Sequence, residues 1–547
     1  MSDDLWYKRA VFYELYPKAF KDGNGDGWGD FIGLLSQVDH LAELGVDCVW
    51  ITPFYPSPMF DDGYDVADYY SVDEKFGTLD DFKAVVDALH ARDIRIITDL
   101  VMNHTSSHHP WFIEAASSRD NPKRNWYVWS NTDQQYKEAR IIFVDSQDSN
   151  WTYHPETEQY YWHRFYPQQP DLNYDNPEVR DEMFRVVDFW LELGLDGFRA
   201  DAVPYLFERD GTNCENLPET HQFLKDLRKH MDLHWPGRIL LAEANQWPHD
   251  TREYFGDGDE MHMGFHFPVM PRLYMALKRE DRTSIVDILN ATPDIPDNTQ
   301  WCTFLRNHDE LTLEMVTAED RDYMWEQYAP EPRMRLNLGI RRRLAPLLNN
   351  DRRRIELLNA MLFSLPGSPI IYYGDEIGMG DNIYLEDRNG VRTPMQWHSG
   401  SNAGFSEADP EALYAPLIQD DEYHYQAVNV AAQRDQPNSL LNRMKHMIGI
   451  RKSYWVFGVG TFAFELPDND AVLAYWRAFE RHKILIVANL SAEEQTCQFQ
   501  LPVFAGHTPL DLLTGERWPT ITGKYYDITL APYQCCWLEI ENPLENR

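Results

Sequence analysis

Little in this chain points to an oxidising compartment, a membrane or a charged polymer. Six cysteines occur in 547 residues, and only Cys535 and Cys536 are close in sequence. Adjacent cysteines rarely bond each other, so reduced thiols in a cytoplasmic protein are expected. A run of 18 apolar residues, the length of a helical membrane span, is missing. The opening Met1-Ser2-Asp3-Asp4-Leu5 lacks the basic and apolar regions of a secretory signal. Positive charge is scarce: 50 Lys and Arg stand against 88 Asp and Glu, a net charge of −38. Such a surface disfavours nucleic acid and anionic membranes, and suits a neutral substrate or divalent cations. There is no zinc-type Cys/His spacing, no Gly-rich phosphate cradle and no repeat of 20–50 residues, so no organic cofactor is expected.

Aromatic residues are plentiful at 14%, with 18 Trp and 30 Tyr. Aromatic walls match the flat C–H faces of sugars, although a large aromatic core would use the same residues. Short apolar runs recur at 11–20, 48–53, 94–101, 196–203, 239–244, 264–267, 302–307 and 369–373. Helix-like stretches such as 31–44, 79–91 and 177–193 lie between several of them. Eight such units predict an α/β fold, a (β/α)8 barrel spanning 1–104 and 175–453. A polar, Trp-rich interval at 105–174 breaks the rhythm and reads as a domain inserted after the third strand. The Asp-, Pro- and Ala-rich stretch 400–438 reads as an excursion over the barrel mouth, part of a lid. Short alternating strands over 454–547 predict a C-terminal antiparallel β-sandwich.

In a parallel barrel the working residues follow the C-terminal ends of strands. Asp99, Asn103 and His104, then Arg199 and Asp201, then Glu243, then His308 and Asp309 all follow apolar runs. Retaining glycoside cleavage needs two carboxyl groups about 5–5.5 Å apart, one an ionised nucleophile and one carrying a proton. Residues 199 and 201 share a strand face, so Arg199 can hold Asp201 ionised. Glu243 leaves the apolar Leu240-Leu241-Ala242 and is partly desolvated, which raises its pKa toward acid duty. His308 and Asp309 can bind the hydroxyls at C2 and C3 of a glucosyl ring.

Over nearly its whole length the sequence resembles the α-amylase family of glycoside hydrolases. The motifs are Asp99-Leu100-Val101-Met102-Asn103-His104, Gly197-Phe198-Arg199-Ala200-Asp201, Glu243, and Asn307-His308-Asp309, together with Gly367-Ser368-Pro369 and Tyr373-Gly374-Asp375-Glu376. By that resemblance Asp201 is the nucleophile, Glu243 the acid/base and Asp309 the transition-state stabiliser. Gln169-Pro170-Asp171-Leu172-Asn173, Gly63-Tyr64-Asp65 and Arg392-Thr393-Pro394-Met395-Gln396-Trp397 resemble the oligo-1,6-glucosidase branch. The resemblance implies a glucose site of Asp61, Tyr64, Asp65, His104, Gln169, Arg199, His308 and Arg392. Asp65 and Arg392 would close its far end; the plain alternative is a buried ion pair without a ligand.

Stretches at 261–268, 404–414, 425–430 and 439–442 resemble members of that branch that rearrange maltose. The implied reaction moves a glucosyl group through a covalent β-glucosyl-enzyme, converting maltose to trehalose with minor hydrolysis. Tyr205, Asn245 and Glu310 would touch the released glucose. Hydrolysis of short α-glucosides, or a sucrose-directed transfer, uses the same catalytic residues, and a transporter-partner relative would need a membrane anchor. A homo-oligomer is compatible with the resemblance. The alternating oxygen side chains of 22–30 suit calcium, which takes six to eight oxygen ligands. The resemblance implies Asp22, Asn24, Asp26, Asp30 and the Trp28 carbonyl as ligands, an acidic turn without an ion being the alternative. It implies a second calcium on Asn103, Asp171, Glu208 and the carbonyls of Tyr205 and Leu206.

Overall fold

The computed structural model describes residues 3–540. Eight parallel strands close into a barrel: β1 (Phe12–Leu15), β2 (Cys48–Ile51), β3 (Arg95–Leu100), β4 (Gly197–Ala200), β5 (Ile239–Ala242), β6 (Met263–Phe265), β7 (Gln300–Phe304) and β8 (Ser368–Tyr372). Their order around the barrel follows the chain, and β8 pairs with β1. Almost every strand residue is buried, as expected for strands covered on both faces, and this explains why the runs read as continuous rather than alternating.

The covering helices show why the intervals form helices. The helix Pro177–Glu192 starts with Asn176 capping the Glu178 N–H and proline in its first turn. These satisfy or remove N–H groups that lack intrahelical partners. It buries Val179, Met183, Val186, Val187, Trp190 and Leu191, a single 3.6-periodic stripe. Leu79–His90 opens with a Thr78–Asp81 capping box.

Between β3 and β4 the chain builds a three-stranded antiparallel sheet from Trp129–Ser130, Trp151–His154 and Gln159–Trp162. Its small core joins Ala139, Trp151 and Trp162 to Cys214 of the barrel portion. The His104–Asp171 and Tyr127–Leu172 bridges close the segment at its base. A second excursion follows β7. There Leu311–Thr312, Arg335–Leu336 and Gly339–Ile340 form another three-stranded sheet.

After the barrel, β9 (Thr461–Phe464), β10 (Val472–Phe479), β11 (His482–Asn489), β12 (Gln495–Gln500), β13 (Leu510–Asp511), β14 (Tyr525–Leu530) and β15 (Cys535–Glu539) make an antiparallel sandwich. The sheet β9-β10-β11-β15-β13 faces the pair β12-β14. Val472, Ala474, Leu485 and Val487 meet Cys497, Phe499, Ile528 and Leu530 between them. Arg477, 1% exposed, donates to the carbonyls of Ser364, Val456 and Phe457 and pins the sandwich to the barrel. Among the described residues every cysteine is a free thiol, and no helix is long and apolar enough to cross a membrane.

Candidate active site

A chamber of about 140 Å³ opens at the C-terminal ends of the barrel strands, lined by Asp201, Glu243 and Asp309. The register of β3, β4 and β5 sets Arg199 between Asp99 and Leu241. Arg199 is 1% exposed. One terminal nitrogen bonds both Asp99 and Asp201, and the other bonds Glu243. Asp201 and Glu243, from neighbouring strands, therefore share one buried cation. Ala202, directly after Asp201, adopts a left-handed φ of 52° and turns its N–H toward Glu243 Oε2 at 3.3 Å. Such backbone is costly for a residue with a Cβ and persists where its surroundings impose it.

The electrostatics separate the two acids. Burial, opposed by Arg199, raises Asp201 to about 6. Burial also raises Glu243, to about 8, with Arg199 opposing and the charges of Asp201 and Asp309 adding to the rise. The ordering, Asp201 below Glu243, would leave Asp201 the more readily ionised of the two near neutral pH. Burial opposes ionisation of Asp309, but His308, Arg388 and Arg392 outweigh it and hold its carboxyl well below the usual range.

Of the expected sugar contacts, Asp61, Tyr64, His104, Arg199, Tyr205, Asn245, His308 and Glu310 are brought together in the chamber lining. Gln169 stands behind them, donating to Asp61 Oδ2 at 3.0 Å and lying 3.2 Å from His104 Nε2.

Asp65 and Arg392, expected to close the far end of the glucose site, do not line the chamber, nor do they form the alternative buried pair with each other. Gly63, at φ 101°, turns Asp65 back into its own loop. There its carboxylate accepts from Ser57 Oγ and from the N–H groups of Phe60 and Asp61. Arg392 bonds Asp62 at 2.6 Å, Asp309 Oδ1 at 3.0 Å and the His308 carbonyl at 2.8 Å. It braces Asp309 from behind and does not line the chamber. Asp61 and Arg388, 2.8 Å apart, pair in the chamber wall, and Arg388 also donates to Asp309 Oδ1 at 2.9 Å.

The expected lid also changes. Ile142, Phe143 and Phe165 of the inserted segment line the chamber, as do Glu310, Thr312 and Glu314 of the excursion after β7. The lining includes no residue of 400–438. That stretch instead packs on the acidic loop 22–30. Ser406 donates to Asp22, and the Phe405 carbonyl accepts from the Asp22 N–H. At the rim Arg140 joins the insert to the barrel, donating to Glu314 at 2.7 Å, Glu215 at 2.8 Å and the Tyr205 hydroxyl at 3.1 Å.

The two sequence-predicted metal positions differ. In 22–30 the side chains of Asp22, Asn24, Asp26 and Asp30 each accept backbone N–H bonds from the loop itself, Asp22 and Asp30 buried and Asn24 and Asp26 exposed. With the adjoining Trp28 carbonyl this is an all-oxygen set, the chemistry a hard cation takes. At the base of the insert Asn103 Oδ1, Asp171 Oδ2 and Glu208 Oε1 are buried acceptors without a donor. Burial raises Asp171 to about 8, and burial together with the Asp171 charge raises Glu208. Orphaned acceptors on two neighbouring carboxyls and an amide are a donor set that a hard cation would satisfy. Tyr205 and Leu206 stand just before Glu208 in the chain. Among the described residues no group of three or more Asp, Glu, His or Cys side chains is gathered at ligand spacing. Amides and carbonyls would therefore complete either set.

Comparison with known proteins agrees with this geometry. The alpha amylase catalytic-domain family model matches residues 14–330 and 340–459, and the maltogenic amylase C-terminal domain model matches 462–537. The chain belongs to the α-amylase family. Within it, the trehalose synthase/amylase of Mycobacterium tuberculosis is 56% identical over 546 residues, covering 98% of this chain and 91% of that one. The trehalose synthase of Pimelobacter sp. is 53% identical over 551 residues, covering 98% and 96%. The crystal structure of trehalulose synthase MutB from Pseudomonas mesoacidophila superposes with a TM-score of 0.79 at 27% identity, covering 98% of this chain and 99% of that one.

Proposed function

We propose that this enzyme isomerises maltose to trehalose by transferring a glucosyl group inside one closed chamber. The observation that carries the reading is the seating of Asp201 and Glu243 on the single guanidinium of Arg199, beneath a rim tied by Arg140. Asp201 attacks C1 of the non-reducing glucosyl unit. The bond from C1 to the departing oxygen breaks, and the Glu243 proton passes to that oxygen. Asp309, ionised and braced by Arg388 and Arg392, stabilises positive charge at the ring. The released glucose turns and presents its C1 hydroxyl. Glu243 takes the hydroxyl proton, the oxygen bonds to C1, and Asp201 departs. Two inversions retain the α configuration.

Internal transfer needs the glucose held and water kept out. The aromatic roof of Phe143 and Phe165, the latter edge-on to Tyr205 at 5.8 Å, supports that role, and water reaching the intermediate gives glucose instead. Two structural calcium ions, on the 22–30 loop and on Asn103, Asp171 and Glu208, would fix the loop and the base of the insert. NMR of maltose incubated with the purified protein tests the reading. Trehalose with little glucose is expected, and glucose alone would reject it in favour of an α-glucosidase.

A further inference from the structure

Glu14 lies on β1, fully buried, and no step above uses it. Its Oε1 accepts the backbone N–H of His308 at 3.2 Å and lies 2.6 Å from His308 Nδ1. On the ring's other side, Nε2 lies 2.8 Å from the Tyr64 hydroxyl and 3.2 Å from Asp309 Oδ2. The ring cannot swing away, because Tyr64 stacks on it at 5.5 Å and Trp50 meets it edge-on at 5.7 Å.

These contacts constrain where the protons are. The Tyr64 hydroxyl also lies 3.3 Å from Asp99 Oδ1, a carboxylate oxygen to which it can donate while its own oxygen accepts from Nε2. Asp309 is an ionised acceptor held by two arginines. A bare Nε2 would set a lone pair against the ionised Asp309 Oδ2, 3.2 Å away, which favours hydrogen on Nε2. The short Nδ1–Oε1 contact then needs a second proton between those two atoms, on either one. A single atom, Oε1, must accept the backbone N–H and also share a proton with Nδ1, which a carboxyl group can do.

We infer that Glu14 is a positioning residue that keeps a proton on His308 Nε2, directed at Asp309, through the two bonds its Oε1 makes to His308. This rests on the proposed function only for the reaction whose rate is read. Burial, with the charges of Asp309 and Asp99, keeps the Glu14 carboxyl well above its usual range, and burial holds His308 well below its own. Both directions agree with a proton shared inside the pair rather than a separated charge.

Glu14→Gln is the decisive variant, because it preserves size and hydrogen bonding. With its amide oxygen on the His308 N–H, it offers Nδ1 only an acceptor. A neutral ring must then either move its hydrogen to Nδ1, baring Nε2 toward Asp309, or leave Nδ1 facing an oxygen. A merely structural glutamate would tolerate the change. The test combines long-range 1H–15N spectra of 15N-histidine-labelled full-length protein with maltose kinetics, the His308 signals being assigned by their loss in His308→Asn. In the unsubstituted protein Nε2 should be protonated. In Glu14→Gln the shifts should report a hydrogen moved to Nδ1 or an unpaired Nδ1, with kcat lowered roughly a hundredfold and KM changed less than threefold. A bare Nε2 in the unsubstituted protein overturns the inference whatever sugar is turned over. So does a Glu14→Gln enzyme that keeps kcat within threefold.

Discussion

Arg140 of the inserted segment meets Glu314 of the excursion after β7 at 2.7 Å, and the two close the rim of the chamber from opposite sides. Glu314 and Tyr205 both line the chamber, so one side chain ties two of its walls. Replacing Arg140 by Ala should loosen that rim while leaving Asp201, Glu243 and Asp309 in place. Maltose should still be consumed, but the ratio of glucose to trehalose should rise about five- to tenfold, roughly 1–1.4 kcal/mol of partitioning. Chromatography of the products decides it, and an unchanged ratio would remove the rim from the account of water exclusion.

The rate should be bell-shaped in pH. Asp201 must be ionised and is raised to about 6, so activity should climb as pH rises through that value. Glu243 must hold its proton and is raised to about 8, so activity should decline above it. An α-glucoside with an activated leaving group needs no proton on departure. In Glu243→Gln, the first turnover of such a substrate should lose the alkaline limb and keep the acid one. Persistence of the alkaline limb would assign it to another group.

Arg388 and Asp65 should behave oppositely. Arg388→Ala leaves Asp61 and Asp309 without a shared partner in the chamber. Its kcat/KM should fall 10²-fold or more, by about 3 kcal/mol. Asp65→Asn disturbs a carboxylate that only its own loop touches. It should cost about 1–3 kcal/mol of stability with KM unchanged. Thermal melts with steady-state kinetics separate the two, and a large KM effect in Asp65→Asn would return that residue to the sugar site.

Chelation should destabilise the protein increasingly with pH. Asp171 and Glu208 are raised in the fold, Asp171 to about 8. Between their unfolded pKa values near 4 and the raised ones, the folded state binds more protons than the unfolded one, so stability declines as pH rises. A bound cation offsets that loss. The drop in Tm on adding EDTA should therefore grow from pH 5 to pH 8, and added Ca2+ should reverse it. Equal melts with and without chelator across that range would remove the cation from Asn103, Asp171 and Glu208.

The barrel and the carboxylates gathered at its mouth were legible because both are local. A buried parallel strand is a short apolar run, and its first polar residues fall where the barrel opens, as Arg199, Asp201 and Glu243 do. What was hidden depends on direction and on partners distant in sequence. Asp65 stands beside the chamber-lining Tyr64, but the left-handed turn at Gly63 points it away, and no pattern announces such a turn. Arg388 sits in an irregular stretch whose contacts, Asp61 and Asp309, are 327 and 79 residues away. The excursion after β7 uses strands of two residues each, too short to show alternation. Phe143 and Phe165 look like any loop aromatics until the insert folds over the barrel.

The Arg140 tie is unlike the buried cluster around Arg199, because its side chain is 38% exposed while its partner Glu314 is 17% exposed. Dissolved ions reach such a pair and weaken it, and at physiological ionic strength screening already acts over about 8 Å. Under the proposed transfer, its fidelity would thereby be coupled to the medium. Concentrated salt should raise the share of free glucose among the products without slowing cleavage.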